Sequence, residues 1–488
     1  MSSETHLYAV ILAGGSGQRF WPLSRELNPK QLLSMFGTES LIAQAVHRIL
    51  PFTGGGAGVT IVTNERMFDE LRDHLTAQPD AQLHHLRYIQ EPMARNTAPA
   101  IALAAATLVS EDPDAIMVVL PSDHLLEDGE VWADCIRAAS ALAADGWLVT
   151  IGIAPGRPET GYGYIKAAEA LADFAVGSVS PHVVAEFVEK PDLERAEAYV
   201  ASGEYFWNAG IFVMKAARVL EELDAAGGGE AHIVDVVRGI AAMPEAQRTG
   251  EDARVAFETI TPVSVDVAVM ERSDRVAVIP ATLRWSDVGS LLALEDVAEP
   301  DASGNVCVGR GTSIDSRDTI VYSTDRLVVT LGTEGLIVVD TADATLVLPK
   351  DRVQDVRRVV DVLKAQGAPE VTQPKVSLRP WGSWTSLLSS PNYGIKFLEV
   401  KPGSRLSLQK HYHRSEHWVV VSGTAIVTRD DEQIEVHQNE SIFLPVGVAH
   451  RVENRGKTPL HLIEVEVGDY LGEDDIVRLD DDRDRNSL

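Results

Sequence analysis

A chain of 488 residues exceeds what one hydrophobic core organises, and 45% hydrophobic with 24% charged residues excludes a disordered or fibrous protein, so roughly two to four globular domains are expected. The 43 basic and 72 acidic side chains leave a formal net charge of −29, which excludes the basic face of a nucleic-acid binder. An anionic substrate would have to be held by a few placed Lys and Arg side chains, backbone N–H groups and a divalent metal. Cys135 and Cys307 are the only cysteines, which supports neither a disulfide framework nor a clustered thiolate metal site and fits a reducing cytoplasm. The apolar stretch Tyr8–Ala13 is too short for a signal peptide and has no basic leader. No segment approaches the ~20 apolar residues of a membrane span, so no membrane partner is expected.

In chain order, Tyr8–Leu12, Val59–Val62, Ala115–Leu120, Leu148–Ile153, Val183–Val188 and Val276–Ile279 read as strands, alternating with helical segments such as the alanine-rich Thr97–Ser110, which has Pro99 in its first turn. This alternation predicts a Rossmann-like α/β domain with a mostly parallel sheet over residues 1–298, whose ligands bind beyond the carboxyl ends of the strands. Residues 299–370 change character. Short strands at Val306–Val308, Thr319–Tyr322, Leu327–Thr330, Leu336–Val339 and Thr345–Leu348, with Asp, Ser and Gly turns between, predict a small β-helix-like connector, followed by a helix over Val353–Leu363. Gln366–Pro374, rich in Gly, Pro and Gln, reads as a linker. From residue 371 to 488 short strands return, separated by Gly, Pro and Asn, as in a β-barrel or double-sheet sandwich.

The first strand runs into Ala13-Gly14-Gly15-Ser16-Gly17-Gln18-Arg19, then Pro22-Leu23-Ser24 and Pro29-Lys30-Gln31. Glycines after a strand let backbone N–H groups approach a phosphate, and Arg19 and Lys30 supply positive charge. The loop is neither a Walker A, since no Gly-Lys-Ser/Thr closes it, nor a dinucleotide fingerprint, since the third glycine is missing. Asp123, after an apolar run, sits at a strand's carboxyl end, where an Asp is commonly a turn or helix cap and can also be a metal ligand.

Read with its neighbours, the loop resembles the signature of the sugar-nucleotide pyrophosphorylases, and Arg19-Phe20-Trp21-Pro22-Leu23-Ser24 resembles their mannose 1-phosphate guanylyltransferase branch. The remaining pieces follow in that family's order: Glu91-Pro92 with Arg95-Asn96-Thr97-Ala98-Pro99-Ala100, Leu120-Pro121-Ser122-Asp123-His124, Thr160-Gly161-Tyr162-Gly163-Tyr164-Ile165, Val188-Glu189-Lys190-Pro191, Trp207-Asn208-Ala209-Gly210 and Trp285-Ser286-Asp287-Val288-Gly289. The resemblance implies attack of the phosphate of mannose 1-phosphate on the α-phosphate of GTP with pyrophosphate leaving, a reaction driven by positioning and charge neutralisation. It assigns Arg19 and Lys30 to the triphosphate, over the amides of Gly14, Gly15 and Gly17, with Arg95 and Asn96 on the nucleotide side. Asp123 and Asp287 become Mg²⁺ ligands, Lys190 meets the sugar phosphate, and Gly161, Glu189 and Asn208 meet the mannose hydroxyls. Tyr162, Trp207 and Trp285 fit core packing as well as site lining.

Towards the carboxyl end, Gly403 is followed by Gln409, His411, Glu416 and Gly423, and a second segment runs Asn439, Pro445-Val446-Gly447, His450, Asn454. Gln409 and His411 alternate on one face of a strand, so a Gln-His-Glu-His set can converge. The two segments resemble the cupin motifs, with Gln409 where many cupins have a histidine and Asn439 where the second motif begins with glycine. With Arg379-Pro380-Trp381-Gly382 and His413-Arg414-Ser415-Glu416-His417-Trp418, they resemble the phosphomannose isomerase half of bifunctional enzymes that interconvert fructose 6-phosphate and mannose 6-phosphate. Gln409, His411, Glu416 and His450 would then hold Zn²⁺ or a similar divalent ion. Lys396, Arg405 and Arg414 are phosphate candidates, each equally explicable as an exposed charge on a strand.

One departure concerns the end of the chain. The family's Tyr-Gly-Arg after Gly472-Glu473-Asp474-Asp475-Ile476-Val477-Arg478 is replaced by Leu479-Asp480-Asp481-Asp482-Arg483-Asp484-Arg485. The sequence thus supports a bifunctional enzyme, a transferase with a structural cupin, or a catalytically silent sugar-nucleotide sensor, the last opposed by intact Arg19, Lys30, Asp123, Lys190 and Asp287. A homo-oligomer is compatible with each.

Overall fold

The computed structural model describes residues 7–15, 17–127 and 129–480. Ser16 and the acidic tail 481–488 lie outside the described residues. The chain divides into one unit of residues 1–70 and 80–372 and a second of residues 71–79 and 373–488.

The first unit is built on a nine-stranded sheet ordered 87–91, 59–64, 7–12, 116–121, 205–215, 148–153, 276–281, 182–188, 164–170. The mostly parallel expectation holds by strand direction: only Tyr205–Lys215 and His182–Val188 run against the rest. Strands read as apolar runs because both faces are covered. Val10, Val62, Met117, Val119, Met214 and Val278 face one core, shared with the helices Thr97–Glu111, Ala216–Ala226 and Gly228–Ala241. The alternate residues Ala9, Ile11, Val118 and Val213 are equally buried outside that cluster.

Register explains why distant motifs meet. Leu12 pairs with Val62 and Pro121, and Asn64 pairs with Glu91, so the parallel strands end together and deliver the glycine loop, Glu91 and Asp123 to one rim. The antiparallel strand reaches the same rim with its beginning, where Gly152 opposes Asn208 and Ile153 opposes Trp207.

The connector is a parallel coil in which Val306, Ile320 and Ile337 stack in register, closed by the antiparallel Thr345–Pro349. Two expectations need correction. Thr319–Tyr322 and Leu327–Thr330 are one strand, Ile320–Leu331, whose first half pairs with 337–340 and whose second half pairs with 311–314. The turn between them is absorbed because Ser323 donates to the Arg326 carbonyl at 2.6 Å while Arg326 pairs with Asp340. Gln366–Pro374 is only in part a linker, because the 3-10 turn Pro369–Val371 buries Val371 and the carbonyls of Val371 and Thr372 accept from Glu26 and Leu27 N–H. Nor does packing break at residue 298. Phe20, Trp21, Leu23, Val288 and Leu291 share one core with Val306, Ile320, Ile337 and Val356.

The second unit is all antiparallel from Val376 onward. A six-stranded sheet (376–379, 382–389, 393–400, 460–468, 414–422, 441–444) faces a five-stranded one (432–437, 424–429, 450–453, 408–411, 476–480), with Trp418, Val420, Val427, Val452 and Leu462 in a common core. No helix of the described residues is long and apolar enough to cross a membrane.

Candidate active sites

At the rim of the large sheet, Lys30 is the organising residue. It is 6% exposed, and its ammonium meets Asp123 Oδ2 at 2.7 Å while donating to the main-chain carbonyls of Asp287 and Val288 at 2.7 and 2.9 Å. The short pairing of Trp285–Ser286 with Leu125–Leu126 brings the same segments together, so Asp123 and Asp287 arrive side by side from distant positions. Burial opposes ionisation of Asp123, but Lys30 and His124 beside it hold its pKa below the usual value. Tyr162 donates to Asp287 Oδ1 at 2.5 Å, and its ring packs edge-on against Trp207 and Trp285. Burial, and then Asp287, push the Tyr162 phenol above its ordinary pKa, so it stays a donor. The aromatics are therefore both packing and site lining.

The glycine loop leads straight into this centre. Gly17 has φ 58°, and a Cβ there would lie 2.7 Å from the backbone of Lys30, so glycine is required. The buried Gln31 amide donates to the carbonyls of Ala13 and Gly15 at 3.2 Å each and pins the loop from below. Gly14 and Gly15 are exposed above it. Arg19 is exposed and has no hydrogen-bond or ion-pair partner among the described residues.

The structure redistributes several expected roles. Asn96, at φ 70°, caps the helix Thr97–Glu111 through Thr97 N–H, and Arg95 donates to the Glu258 carbonyl, so both are engaged in holding the fold. The residue of that segment facing the loop is Glu91, whose Oε2 would lie 3.7 Å from a Cβ on Gly14. Glu91 is 5% exposed, its Oε1 has no hydrogen-bond partner, and burial raises its pKa to about 8. The sequence marks Glu91 only as part of the Glu91-Pro92 piece of the resemblance, with no role attached to it.

On the sugar side, the Asn208 side chain accepts from Thr150 and Gly210 and donates to Asp266 Oδ1 at 2.8 Å. Burial, and then Glu189 nearby, raise the Asp266 pKa to about 6. Gly163 lies against Glu189 and Asn208, where a Cβ would fall 2.7 Å from Glu189 Oε2. Lys190 is exposed at φ 48° and pairs with Glu189, while Gly161 N–H donates to Glu159. Gly161, Glu189, Lys190 and Asn208 thus share one corner, to which the structure adds Asp266, half-buried and set inside an apolar-looking stretch of the sequence.

In the cupin unit, His411, Glu416 and His450 are each 2% exposed with their ligand atoms within 4.8 Å of one another. Gln409 is directly opposite His450 and shares the face of His411. His450 Nδ1 is 2.9 Å from the Val448 carbonyl, which fixes the tautomer with Nε2 toward Glu416 at 3.4 Å. His411 Nε2 is 2.9 Å from Glu416 Oε1 without hydrogen-bond geometry, and both ring nitrogens of His411 and Nε2 of His450 are buried without partners. Imidazole nitrogens converging on a carboxylate with nothing between them fit a divalent cation. Burial opposes ionisation of Glu416, yet the two histidines hold its pKa well below the ordinary value.

Behind this set, Trp418 Nε1 donates to both Glu416 and Glu464 at 3.0 Å. Burial, and then Glu416, raise the pKa of Glu464 well above normal. Lys396 pairs with Glu466 at 2.8 Å, and Arg414, 2% exposed, lies 3.5 and 3.4 Å from Glu416 and Glu466. The phosphate candidates Lys396 and Arg414 are therefore partnered inside the barrel.

Residues 8–304 match the Nucleotidyl transferase family, residues 309–363 the MannoseP isomerase/GMP-like beta-helix domain, and residues 366–481 the Mannose-6-phosphate isomerase C-terminal family. The chain is 43% identical to alginate biosynthesis protein AlgA of Pseudomonas aeruginosa, across 97% of this chain and 96% of that one. It is 42% identical to a mannose-1-phosphate guanylyltransferase of Escherichia coli K12, across 98% and 99%. The crystal structure of mannose-1-phosphate geranyltransferase from Thermus thermophilus superposes with a TM-score of 0.63 at 31% identity, covering 74% of this chain and 99% of that one. The chain therefore belongs to the nucleotidyl transferase family, within the group of mannose-1-phosphate guanylyltransferases that carry a mannose-6-phosphate isomerase C-terminal domain.

Proposed function

We propose that the first unit transfers guanylate from GTP to mannose 1-phosphate. A phosphate oxygen of the sugar phosphate forms a bond to the α-phosphorus, the α–β bridging bond breaks, and pyrophosphate leaves to give GDP-mannose. The observation that carries this is the Lys30 bridge, which ties the Asp123 carboxylate to the backbone of Asp287 beside a glycine loop. Asp123 and Asp287 would hold Mg²⁺, which supplies charge neutralisation at the phosphates. The amides of Gly14, Gly15 and Gly17 cradle the triphosphate, and Arg19 neutralises the leaving pyrophosphate. Lys30 holds the Asp123 carboxylate and the Asp287 backbone in place and faces the same phosphates. Lys190 receives the sugar phosphate, and Gly161, Glu189, Asn208 and Asp266 form the mannose corner. Glu91 reads the base in its ionised form, releasing to solvent on binding the proton that burial holds there in the free enzyme, because guanine presents adjacent N–H donors to a carboxylate where adenine presents an acceptor.

The cupin is the mannose-6-phosphate isomerase half, moving a proton between C1 and C2 through an enediol. Gln409, His411, Glu416 and His450 would hold Zn²⁺ or a similar ion, which polarises the substrate oxygens. A cytoplasmic enzyme fits the two unclustered cysteines, Cys135 and Cys307.

The test is pyrophosphate release from mannose 1-phosphate with each of the four ribonucleoside triphosphates, for the wild type and Asp123→Asn, with mannose 6-phosphate isomerisation assayed on the same preparation. Release with GTP, reduced at least about a hundredfold in the variant, is expected. Release with no nucleotide would leave the sensor reading, and an inactive cupin would leave the structural one.

A further inference from the structure

In the cupin the metal set is drawn from both sheets. His411 ends the strand Leu408–His411 of the five-stranded sheet, and Glu416 lies near the start of Arg414–Ser422 in the six-stranded one. Only Tyr412 and His413 separate the two strands, so this turn sets how far His411 stands from Glu416.

The carboxylate of Asp475, 5% exposed, closes on that turn. Its Oδ1 accepts from Tyr412 N–H at 3.1 Å and lies 2.7 Å from His413 Nδ1, and its Oδ2 accepts from His413 N–H at 3.2 Å. Both backbone donors of the turn are thus taken up by one buried side chain. Strand pairing brings Asp475 there, since the next residue, Ile476, stands opposite His411. The segment before it wraps the same turn. Gly468 approaches so closely that a Cβ would lie 2.1 Å from the His413 carbonyl. The buried Arg414 guanidinium donates to the Leu471 and Gly472 carbonyls at 3.3 Å each, while its Nε stands 3.5 Å from Glu416 Oε1. The residues that depart from the family's ending begin at Leu479, beyond this clamp.

We infer that Asp475 is a positioning residue for the cupin's metal: it fixes the Tyr412-His413 turn and thereby the separation of His411 from Glu416. Two backbone N–H groups that lose their acceptor turn to water or another partner and carry the turn with them. A metal site tolerates displacements of only about 0.2 Å in its ligand distances, so a turn that moves weakens the metal before it unfolds the barrel. This rests on the metal-site reading of the cupin.

The experiment uses the full-length protein, with Co²⁺ as the probe because its visible absorption reports the ligand geometry. Wild type, Asp475→Asn, His413→Ala and Asp480→Asn are stripped of metal and titrated, and GDP-mannose formation is followed as a check of folding. In Asp475→Asn, where an amide group replaces one acceptor oxygen, Co²⁺ affinity is expected to fall by about tenfold to a hundredfold with altered absorption bands. At saturating Co²⁺ its KM for mannose 6-phosphate should stay within about threefold of wild type, since Asp475 does not touch substrate. His413→Ala removes one of the three contacts and should weaken Co²⁺ by about twofold to fivefold. Asp480→Asn loosens the far end of the same strand, where Asp480 pairs with Arg451 at 3.2 Å, and should bind Co²⁺ as wild type does. Wild-type affinity and spectrum in Asp475→Asn, or in His413→Ala where Asp475→Asn is not recovered folded, would overturn the proposal. Equal weakening in Asp480→Asn would overturn it too, by marking a purely structural strand. A wild type that binds no Co²⁺ overturns the metal-site reading itself, and is seen before any variant is compared.

Discussion

The transferase centre and the cupin centre solve the same problem, gathering charged groups out of water, in opposite ways. At the transferase centre the polar atoms satisfy one another: Lys30 has three acceptors, Asp287 receives Tyr162, and Asn208 is bonded on both sides of its amide. In the cupin, His411 and His450 hold buried ring nitrogens without a hydrogen-bond partner. Leaving such groups unpaired is unfavourable, so the first site keeps its shape before substrate arrives whereas the second is completed by a cation. A site closed on itself tolerates the loss of a weakly held ion, and a site with orphan ligands does not.

Metal exchange is the largest test of that contrast. After chelation and gel filtration, Mg²⁺ alone should restore full guanylyl transfer, while isomerisation should stay below about one-hundredth of its starting rate until Zn²⁺ or another transition ion is supplied. Thermal unfolding followed in parallel should show the second unit losing stability on chelation. If Mg²⁺ restored both activities equally, the cupin would not be the nitrogen-ligated site its geometry describes.

Glu91 sharpens the comparison, since its Oε1 is buried without a partner at the transferase centre, as are Trp207 Nε1 and Arg95 Nε, and of the three only the carboxyl titrates. Its pKa is raised from 4.5 to about 8, so the folded chain holds a proton there that the unfolded chain has released. The associated stability is present below pH 4.5 and is lost as pH rises through about 8. Glu91→Gln should remove this dependence and unfold at a higher denaturant concentration than wild type at pH 8, by on the order of a few kcal/mol. The same variant should lose about tenfold to a hundredfold in kcat/KM for GTP and discriminate less against ATP, because an amide presents one acceptor where the carboxylate presents two. A variant with unchanged nucleotide preference would remove Glu91 from the base site.

What could be read from the sequence follows from the same physics. Asp123, Asp287 and Lys30 were singled out by the motifs that carry the resemblance, and the Gln409–His450 set by its spacing on strands; the structure brings Lys30 to Asp123 and the Asp287 backbone, and His411, Glu416 and His450 together. The strands themselves were legible as apolar runs, since burial on both faces demands it. Glu91 and Asp266 were not, because their roles come from burial and from neighbours distant in the chain, as with Gly14 and Asn208. Asn96 has a second role for a related reason. Its motif marks it as distinctive, yet its positive φ and its bond to Thr97 N–H show a helix cap, which local sequence does not separate from a ligand contact. The two strands expected within Ile320–Leu331 fused because a side-chain bond from Ser323, and not a turn residue, carries the bend.

The smallest effect, and the most discriminating for the self-satisfied site, is that of Tyr162→Phe. Its hydroxyl is the one side-chain donor to Asp287 seen among the described residues, while its ring is fixed between Trp207 and Trp285. Phenylalanine keeps the ring and removes only the hydrogen bond, so stability should change by no more than about 1–2 kcal/mol. The freed carboxylate oxygen remains in a site where Lys30 already fixes the backbone of Asp287. Guanylyl transfer should therefore fall by about threefold to tenfold, with a higher Mg²⁺ concentration needed for half-maximal rate, and isomerisation should be unchanged. A hundredfold loss would mean that the hydroxyl touches substrate. No change in the Mg²⁺ dependence would mean that the Lys30 bridge alone positions Asp287.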